Sequence, residues 1–226
     1  MQIWTHRGNP GPENTIEAFG RAWEDGVHFF ETDVHSTSDG VLVLSHDPSI
    51  LRLTGVDRDI RDITLEELHT FRIENSYNWT TLDELCDGFP LATISIDLKS
   101  EETVDPFLEW AKGRDLERFV IGSFTSKTIR KVRRHYPRAR TALTSIEVLL
   151  IAWGLGNLLP SHSGQRMAMV PTSFKGVKVL TRRFERFCQA KKIPIIVWTI
   201  NTKEELMELE GKRISGIVTD NYIDFI

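Results

Sequence analysis

Residues 28–34 read His28-Phe29-Phe30-Glu31-Thr32-Asp33-Val34, and residues 93–99 read Thr93-Ile94-Ser95-Ile96-Asp97-Leu98-Lys99. Each is an apolar, β-like run that ends in charged side chains, and side chains two apart in a strand share a face. Glu31 and Asp33 therefore point the same way, as do Asp97 and Lys99. Comparable runs occur at Ile3–His6, Phe119–Phe124, Ala139–Thr144, Met167–Val170, Pro194–Ile200 and Ser215–Thr219. Helical patterns separate them, which is the order of a parallel α/β sheet. Eight such strands predict a TIM-type (β/α)8 barrel, in which charged residues at the C-terminal strand ends gather at one mouth.

Helix starts are marked by a cap residue followed three positions later by glutamate, at Asn14 with Glu17, Thr64 with Glu67, Thr81 with Glu84 and Thr202 with Glu205. The first helix should carry Ile16, Phe19 and Trp23 on one face and stop near Gly26. Asn14 as its N-cap needs no catalytic explanation. Val41–Leu44 reads as a short extra strand after a turn at Ser38-Asp39-Gly40, which returns His46 to the barrel mouth. Residues 47 to about 90, with two short helices, form a small insertion after the second strand rather than a second domain, so residues 1–226 are read as one barrel domain. The apolar stretch Val148–Leu159 is expected to be a core-facing helix with its exit loop. The six residues after Asp220 allow only about a turn and a half of helix. Ile223, Phe225 and Ile226 are expected to patch the seam between last and first strands, in a monomer or at a homodimer contact.

The chain has 226 residues with 28 basic against 32 acidic, a balance without the basic excess of a nucleic-acid groove. Its richest basic run, Arg130-Lys131-Val132-Arg133-Arg134, reads as the solvated face of a helix. Cys86 and Cys188 are too few for a disulfide framework and read as reduced core residues. No apolar stretch is long enough to span a membrane. The first strand begins almost at Met1 and leaves no room for a signal peptide, which points to a cytoplasmic enzyme.

Glu31, Asp33 and Asp97 around one centre repel each other unless a cation sits between them. An all-oxygen donor set selects one hard divalent ion, Mg2+ or Ca2+, and is compatible with Mn2+. The His-x-His pair that a zinc amidohydrolase barrel carries on its first strand occurs nowhere in this chain. Arg7 and Lys99 supply positive charge for an anionic substrate, Lys99 also serving as a charge partner for Asp97. His6 and His46 are the candidate acid and base, since imidazole titrates near neutral pH. The other five, His28, His35, His69, His135 and His162, are given no role. Trp198, on one face with Ile196 and Ile200, is read either as a core aromatic or as a wall for the substrate.

The order His6-Arg7-Gly8, Glu13-Asn14-Thr15, Glu31-Thr32-Asp33, Ser38-Asp39-Gly40 and His46-Asp47 resembles the N-terminal signature of the glycerophosphodiester phosphodiesterase family. The likeness continues through Asp97-Leu98-Lys99, Ser123-Phe124, Trp198-Thr199-Ile200-Asn201 and Gly216-Ile217-Val218-Thr219-Asp220, nearly the whole chain. It implies a barrel enzyme of lipid and glycerol metabolism that hydrolyses glycerophosphodiesters to glycerol 3-phosphate and an alcohol. It further implies that His6 and His46 are the catalytic pair and that Glu31 and Asp33 bind metal. The family's third metal ligand is a glutamate where this chain has Asp97. The missing methylene shifts the carboxylate by about 1.5 Å, so ligation there is either direct to a displaced ion or through water.

Overall fold

The computed structural model describes residues 1–174 and 176–226. Its strands are β1 Gln2–His6, β2 Phe29–Ser36, β3 Leu42–Leu44, β4 Thr93–Leu98, β5 Phe119–Gly122, β6 Arg140–Ala142, β7 Arg166–Val170, β8 Ser173–Phe174, β9 Val177–Lys178, β10 Ile195–Val197 and β11 Gly216–Thr219. Among the described residues, eight of these close a parallel barrel in the order β1-β2-β4-β5-β6-β7-β10-β11, with β1 bonded to both β2 and β11. β3 adds antiparallel to β2, and β8 with β9 forms a separate two-stranded hairpin.

The alternation of side chains divides the barrel into two compartments. Trp4, Val120, Met167, Ile196 and Val218 fill its interior, with Phe29, Met169 and Trp198 packed against them. The intervening residues Phe30, Ile94, Ile96 and Ile121 face outward and join Phe19, Ala22 and other helical residues in a core between sheet and helices. Burying a side chain of this size contributes about 1.5–3 kcal/mol, and a one-residue slip in any strand would exchange the barrel-interior layer with the helix-facing one and misfit both.

Strand ends come earlier than the apolar runs suggest wherever a helix cap begins. β6 stops at Ala142 because Thr144 caps the helix Ser145–Ala152, its hydroxyl accepting from Glu147 N–H while the Glu147 carboxylate accepts from Thr144 N–H. Thr81 and Thr202 make the same reciprocal pair with Glu84 and Glu205, and Thr64 accepts from Glu67 N–H. The first helix, Ile16–Glu24, is capped one residue later than expected, by Thr15. Asn14 instead adopts φ 58° and accepts from the buried Thr32 hydroxyl at 2.8 Å, tying the first loop to β2. β10 ends at Val197, so the period of two does not carry to Ile200, which packs outside the barrel.

The insertion contains three short helices, Leu51–Thr54, Leu65–Leu68 and Leu82–Gly88, and a 3-10 turn at Ile60–Asp62, more than the two helices expected. Val43, Ile50, Ile60, Ile63, Leu68, Ile73 and Trp79 give it a small core of its own beside the barrel mouth. The stretch around the helix Ser145–Ala152 meets the expectation of a core-facing segment in part: Ile151 joins the core outside the barrel and Val148 and Leu159 pack against it. It buries only Glu147 and Ile151, and Ile146, Trp153, Leu155 and Leu158 stand exposed. Cys86 and Cys188 are free and buried, and no helix among the described residues is long and apolar enough to cross a membrane. The tail forms a 3-10 turn, Tyr222–Phe225, whose buried Tyr222 hydroxyl donates to Asp25 at 2.8 Å.

Candidate active site

The site is assembled by strand register. His6 on β1 lies opposite Glu31 on β2, and Asp33 lies opposite Asp97 on β4. Because these residues face inward at the C-terminal ends of neighbouring strands, their side chains meet above the apolar plug of the barrel. The chain leaves β1 through Arg7 at φ 57° and Gly8 at φ 81°. Gly8 is required twice over, by this left-handed turn and because a Cβ there would stand 2.9 Å from Ala18 Cβ. The turn carries Arg7 across to β2, where its Nε lies 2.8 Å from Asp33 Oδ2.

Three carboxylates and two cations share this small volume. The Lys99 ammonium lies 2.9 Å from Asp33 Oδ1 and 3.3 Å from Asp97 Oδ2. Burial pushes the pKa of Glu31 well above the ordinary value, and the neighbouring Asp33 and Asp97 push it further. Burial also raises Asp97, with Lys99 opposing. Lys99 itself is raised: burial disfavours its charge, but Asp33 and Asp97 outweigh that. Glu31 Oε2 and Asp33 Oδ2 are buried without a hydrogen bond, the Arg7 contact being close but poorly aligned for one.

Among the described residues, no three acidic, histidine or cysteine side chains already stand at ligating separation; Lys99 lies between two of the expected ligands. The donor set nonetheless fits a hard divalent ion. Two buried carboxylate oxygens lack a hydrogen bond and Glu31 has a strongly raised pKa, conditions that a cation would relieve.

Each imidazole is oriented by a carboxylate on the same ring atom. His6 Nδ1 lies 2.6 Å from Asp220 Oδ1, and its Nε2 is 3.8 Å from Glu31 Oε2. Asp220 also accepts from Asn201 at 2.9 Å and Asn9 at 3.1 Å. Its hydrogen bond from His6 is the leading cause of a pKa lowered to about 2. His46 Nδ1 lies 2.7 Å from Asp47 Oδ1, whose other oxygen takes Arg52 Nε at 2.5 Å. Burial works to raise Asp47, but these hydrogen bonds leave it below its ordinary value. Arg52 continues to Glu13, and Glu13 to Arg7 at 3.5 Å, so a chain of alternating charges joins His46 to the carboxylate cluster. His35 Nε2, 3.3 Å from the His46 carbonyl, adds a further tie.

His6, His46, Arg7, Lys99, Trp198, Glu31, Asp33 and Asp97 all line one pocket of about 650 Å³. The Trp198 ring meets the exposed Phe124 edge-on at 6.4 Å, and Lys99 Nζ is 5.6 Å from the Phe124 centroid. Sequence reasoning passed over Phe124, Asp220, Asn201, Glu13 and Arg52 as site residues. Asp220, Asn201 and Glu13 lie inside the quoted motifs, whereas Arg52 carried no signal.

Paired imidazoles, carboxylates and cations at the mouth of a parallel barrel define a hydrolase that acts on an anionic substrate. The model of the glycerophosphoryl diester phosphodiesterase family matches residues 6–223. A glycerophosphodiester phosphodiesterase of Caldanaerobacter subterraneus subsp. tengcongensis is 27% identical, covering 97% of this chain and 93% of the relative. The structure of the Thermotoga maritima glycerophosphodiester phosphodiesterase superimposes with a TM-score of 0.75 at 26% identity, covering 96% of this chain and 93% of the other. An Oleispira antarctica phosphodiesterase, solved with the product sn-glycerol-3-phosphate, shares the fold with a TM-score of 0.76 at 20% identity, covering 97% and 93%. The chain belongs to the glycerophosphoryl diester phosphodiesterase family of enzymes.

Proposed function

We propose that this phosphodiesterase hydrolyses glycerophosphodiesters to glycerol 3-phosphate and an alcohol with His6 and His46 as the proton-transfer pair and one hard divalent cation, Mg2+ or Ca2+, held by Glu31, Asp33 and Asp97. The observation that carries the reading is that both imidazoles face one pocket with Nδ1 already committed to a carboxylate. A carboxylate only accepts, so Nδ1 keeps its proton and the working atom is Nε2. Neutral, that atom takes a proton; charged, it gives one.

His6 is assigned to protonate the departing alcohol and His46 to take a proton from the attacking water. One P–O bond forms to water oxygen, the P–O bond to the alcohol breaks, and the alcohol leaves with the His6 proton. Arg7 and Lys99 each retain donors beyond their carboxylate contacts, and these face the phosphate oxygens. The cation, when bound, supplies charge to stabilise those same oxygens. Phospholipase C-type cleavage on the other side of phosphorus is the rival chemistry. Product analysis after digestion of glycerophosphocholine separates them: glycerol 3-phosphate with free choline is expected, and phosphocholine with glycerol would overturn the reading.

A further inference from the structure

The near balance of charge over the whole chain conceals a division between its parts. From Arg118 to Lys192 the sequence carries 16 Lys and Arg against two acidic residues, which leaves 12 basic against 30 acidic for the remainder. The two acids of that stretch are engaged internally: Glu147 and Glu185 are buried, paired with Arg133 at 2.7 Å and with Lys212 at 3.0 Å. No exposed carboxylate therefore stands on the surface that residues 118–192 supply. The stretch is contiguous in space as well, since it builds the neighbouring barrel strands β5, β6 and β7 and the helices Ser126–His135, Ser145–Ala152 and Arg182–Ala190.

The outer face where the last two of these helices meet adds an independent feature. Arg183 Nη1 donates to the Trp153 carbonyl at 3.2 Å, and Gly156 lies so close to Phe187 that a Cβ there would stand 2.5 Å from its ring. These contacts hold the 3-10 turn Gly156–Leu158 against the helix Arg182–Ala190. Ile146, Trp153, Leu155 and Leu158 stand 46–68% exposed, more apolar surface than a solvated loop needs. Arg182 and Arg186, one turn apart on the neighbouring helix, are exposed and, among the described residues, have no carboxylate within ion-pair distance.

We infer that this face docks reversibly on an anionic phospholipid bilayer, with Trp153, Leu155 and Leu158 entering the interface and Arg182, Arg183 and Arg186 at the headgroups. A bilayer surface buries apolar side chains at its acyl boundary and draws cations to its anionic headgroups, so it satisfies both features at once. A nucleic acid satisfies the arginines but offers nothing to Ile146, Leu155 and Leu158. A second copy of this chain would meet the arginines with its acidic part, in a head-to-tail contact that leaves open ends. None of these side chains lines the catalytic pocket, so docking is separable from hydrolysis.

The test is co-sedimentation of the protein with vesicles of phosphatidylcholine alone and of equal parts phosphatidylcholine and phosphatidylglycerol, at low and high NaCl. Each arginine at the headgroups contributes about fivefold to the partition coefficient. The native protein should therefore favour the anionic vesicles by roughly tenfold or more, and the preference should weaken as salt rises. The double variant Arg182→Gln, Arg186→Gln should lose about fivefold or more, while lysine at both positions retains binding. The double variant Trp153→Ser, Leu158→Ser should bind anionic vesicles more weakly yet cleave glycerophosphocholine at the native rate. Excess glycerol 3-phosphate, which competes for the catalytic pocket alone, should displace no protein from the vesicles. Equal partitioning to both vesicle types, full binding by both double variants, or displacement by glycerol 3-phosphate overturns the docking face. Tighter binding to a duplex oligonucleotide at the same salt, or a doubled mass by light scattering that the arginine variant abolishes, overturns it in favour of a nucleic acid or a second copy.

Discussion

Glu31→Gln separates the stability of the charged cluster from its activity. Glu31 Oε2 is buried without a hydrogen bond, and burial, then Asp33, then Asp97 hold its pKa well above the ordinary 4.5. A pKa raised by folding contributes stability that is full below the unfolded value and is lost as pH rises through the folded one. In chelator, native stability should therefore fall with rising pH above 4.5 in a way that the glutamine variant does not share. At a pH above that raised value, where the native carboxylate is charged and its Oε2 lacks a hydrogen bond, the variant should be more stable by about 1–3 kcal/mol, the usual cost of an unsatisfied buried group. For a domain of this size that corresponds to a melting temperature higher by roughly 2–12 °C. At pH 4 the two proteins should melt together. Added Mg2+ or Ca2+ should raise the melting temperature of the native protein far more than that of the variant, while turnover by the variant is largely lost. A variant that melts below the native protein throughout the alkaline range in chelator would refute the reasoning, because it would show that the carboxylate is already satisfied.

His6→Ala should lose far more activity on a choline ester than on a nitrophenyl ester, whose leaving group needs no proton; a general acid contributes roughly 10²–10⁴-fold. His46→Ala should lose both equally, and the reverse pattern would exchange the roles. Asp220→Asn removes the negative charge beside His6 Nδ1 and should lower kcat for the choline ester more than KM or the nitrophenyl rate. Because Asp220 is held at about 2, its stabilising contribution is present above 3.8 and is lost only as pH falls through the lower value; a carboxylate-independent rate would remove its positioning role. Tyr222 is pushed up to about 12, burial being the larger cause and Asp25 the next, so it stabilises the fold below pH 10 and ceases to as pH rises through 12. Tyr222→Phe should abolish that alkaline loss and cost about 1–3 kcal/mol at neutral pH, read by denaturant melts. Deleting residues 223–226 should lower the melting temperature without changing the mass seen by light scattering, and a halved mass would place the tail in a dimer contact.

The parts of the fold that were legible in the sequence are those dictated by short-range physics. Alternation placed Glu31 with Asp33 and Asp97 with Lys99 on one face, and the Thr81 and Thr202 boxes marked helix starts that the structure reproduces. What was not legible depends on closure of the barrel or on the insertion. His6 and Asp220 are 214 positions apart and meet only because β1 pairs with β11. Arg52 reaches Asp47 and Glu13 from a helix whose sequence carries no chemical motif. The apolar composition of residues 148–159 marked a core-facing segment, which holds for Val148, Ile151 and Leu159, but composition alone does not show that Trp153, Leu155 and Leu158 stand exposed. Asn14 fitted a capping pattern, but Thr15 beside it offers an equally good oxygen, and the pull of Thr32 decided between them.

Release of glycerol 3-phosphate from glycerophosphocholine by protein dialysed against EDTA, followed by titration with Mg2+ or Ca2+, tests the central claim most directly. Activity should be absent in chelator and return saturably with the divalent ion, and in Asp33→Asn it should not return at any concentration. Full activity in excess EDTA, or full restoration of the Asp33→Asn variant, would contradict the account.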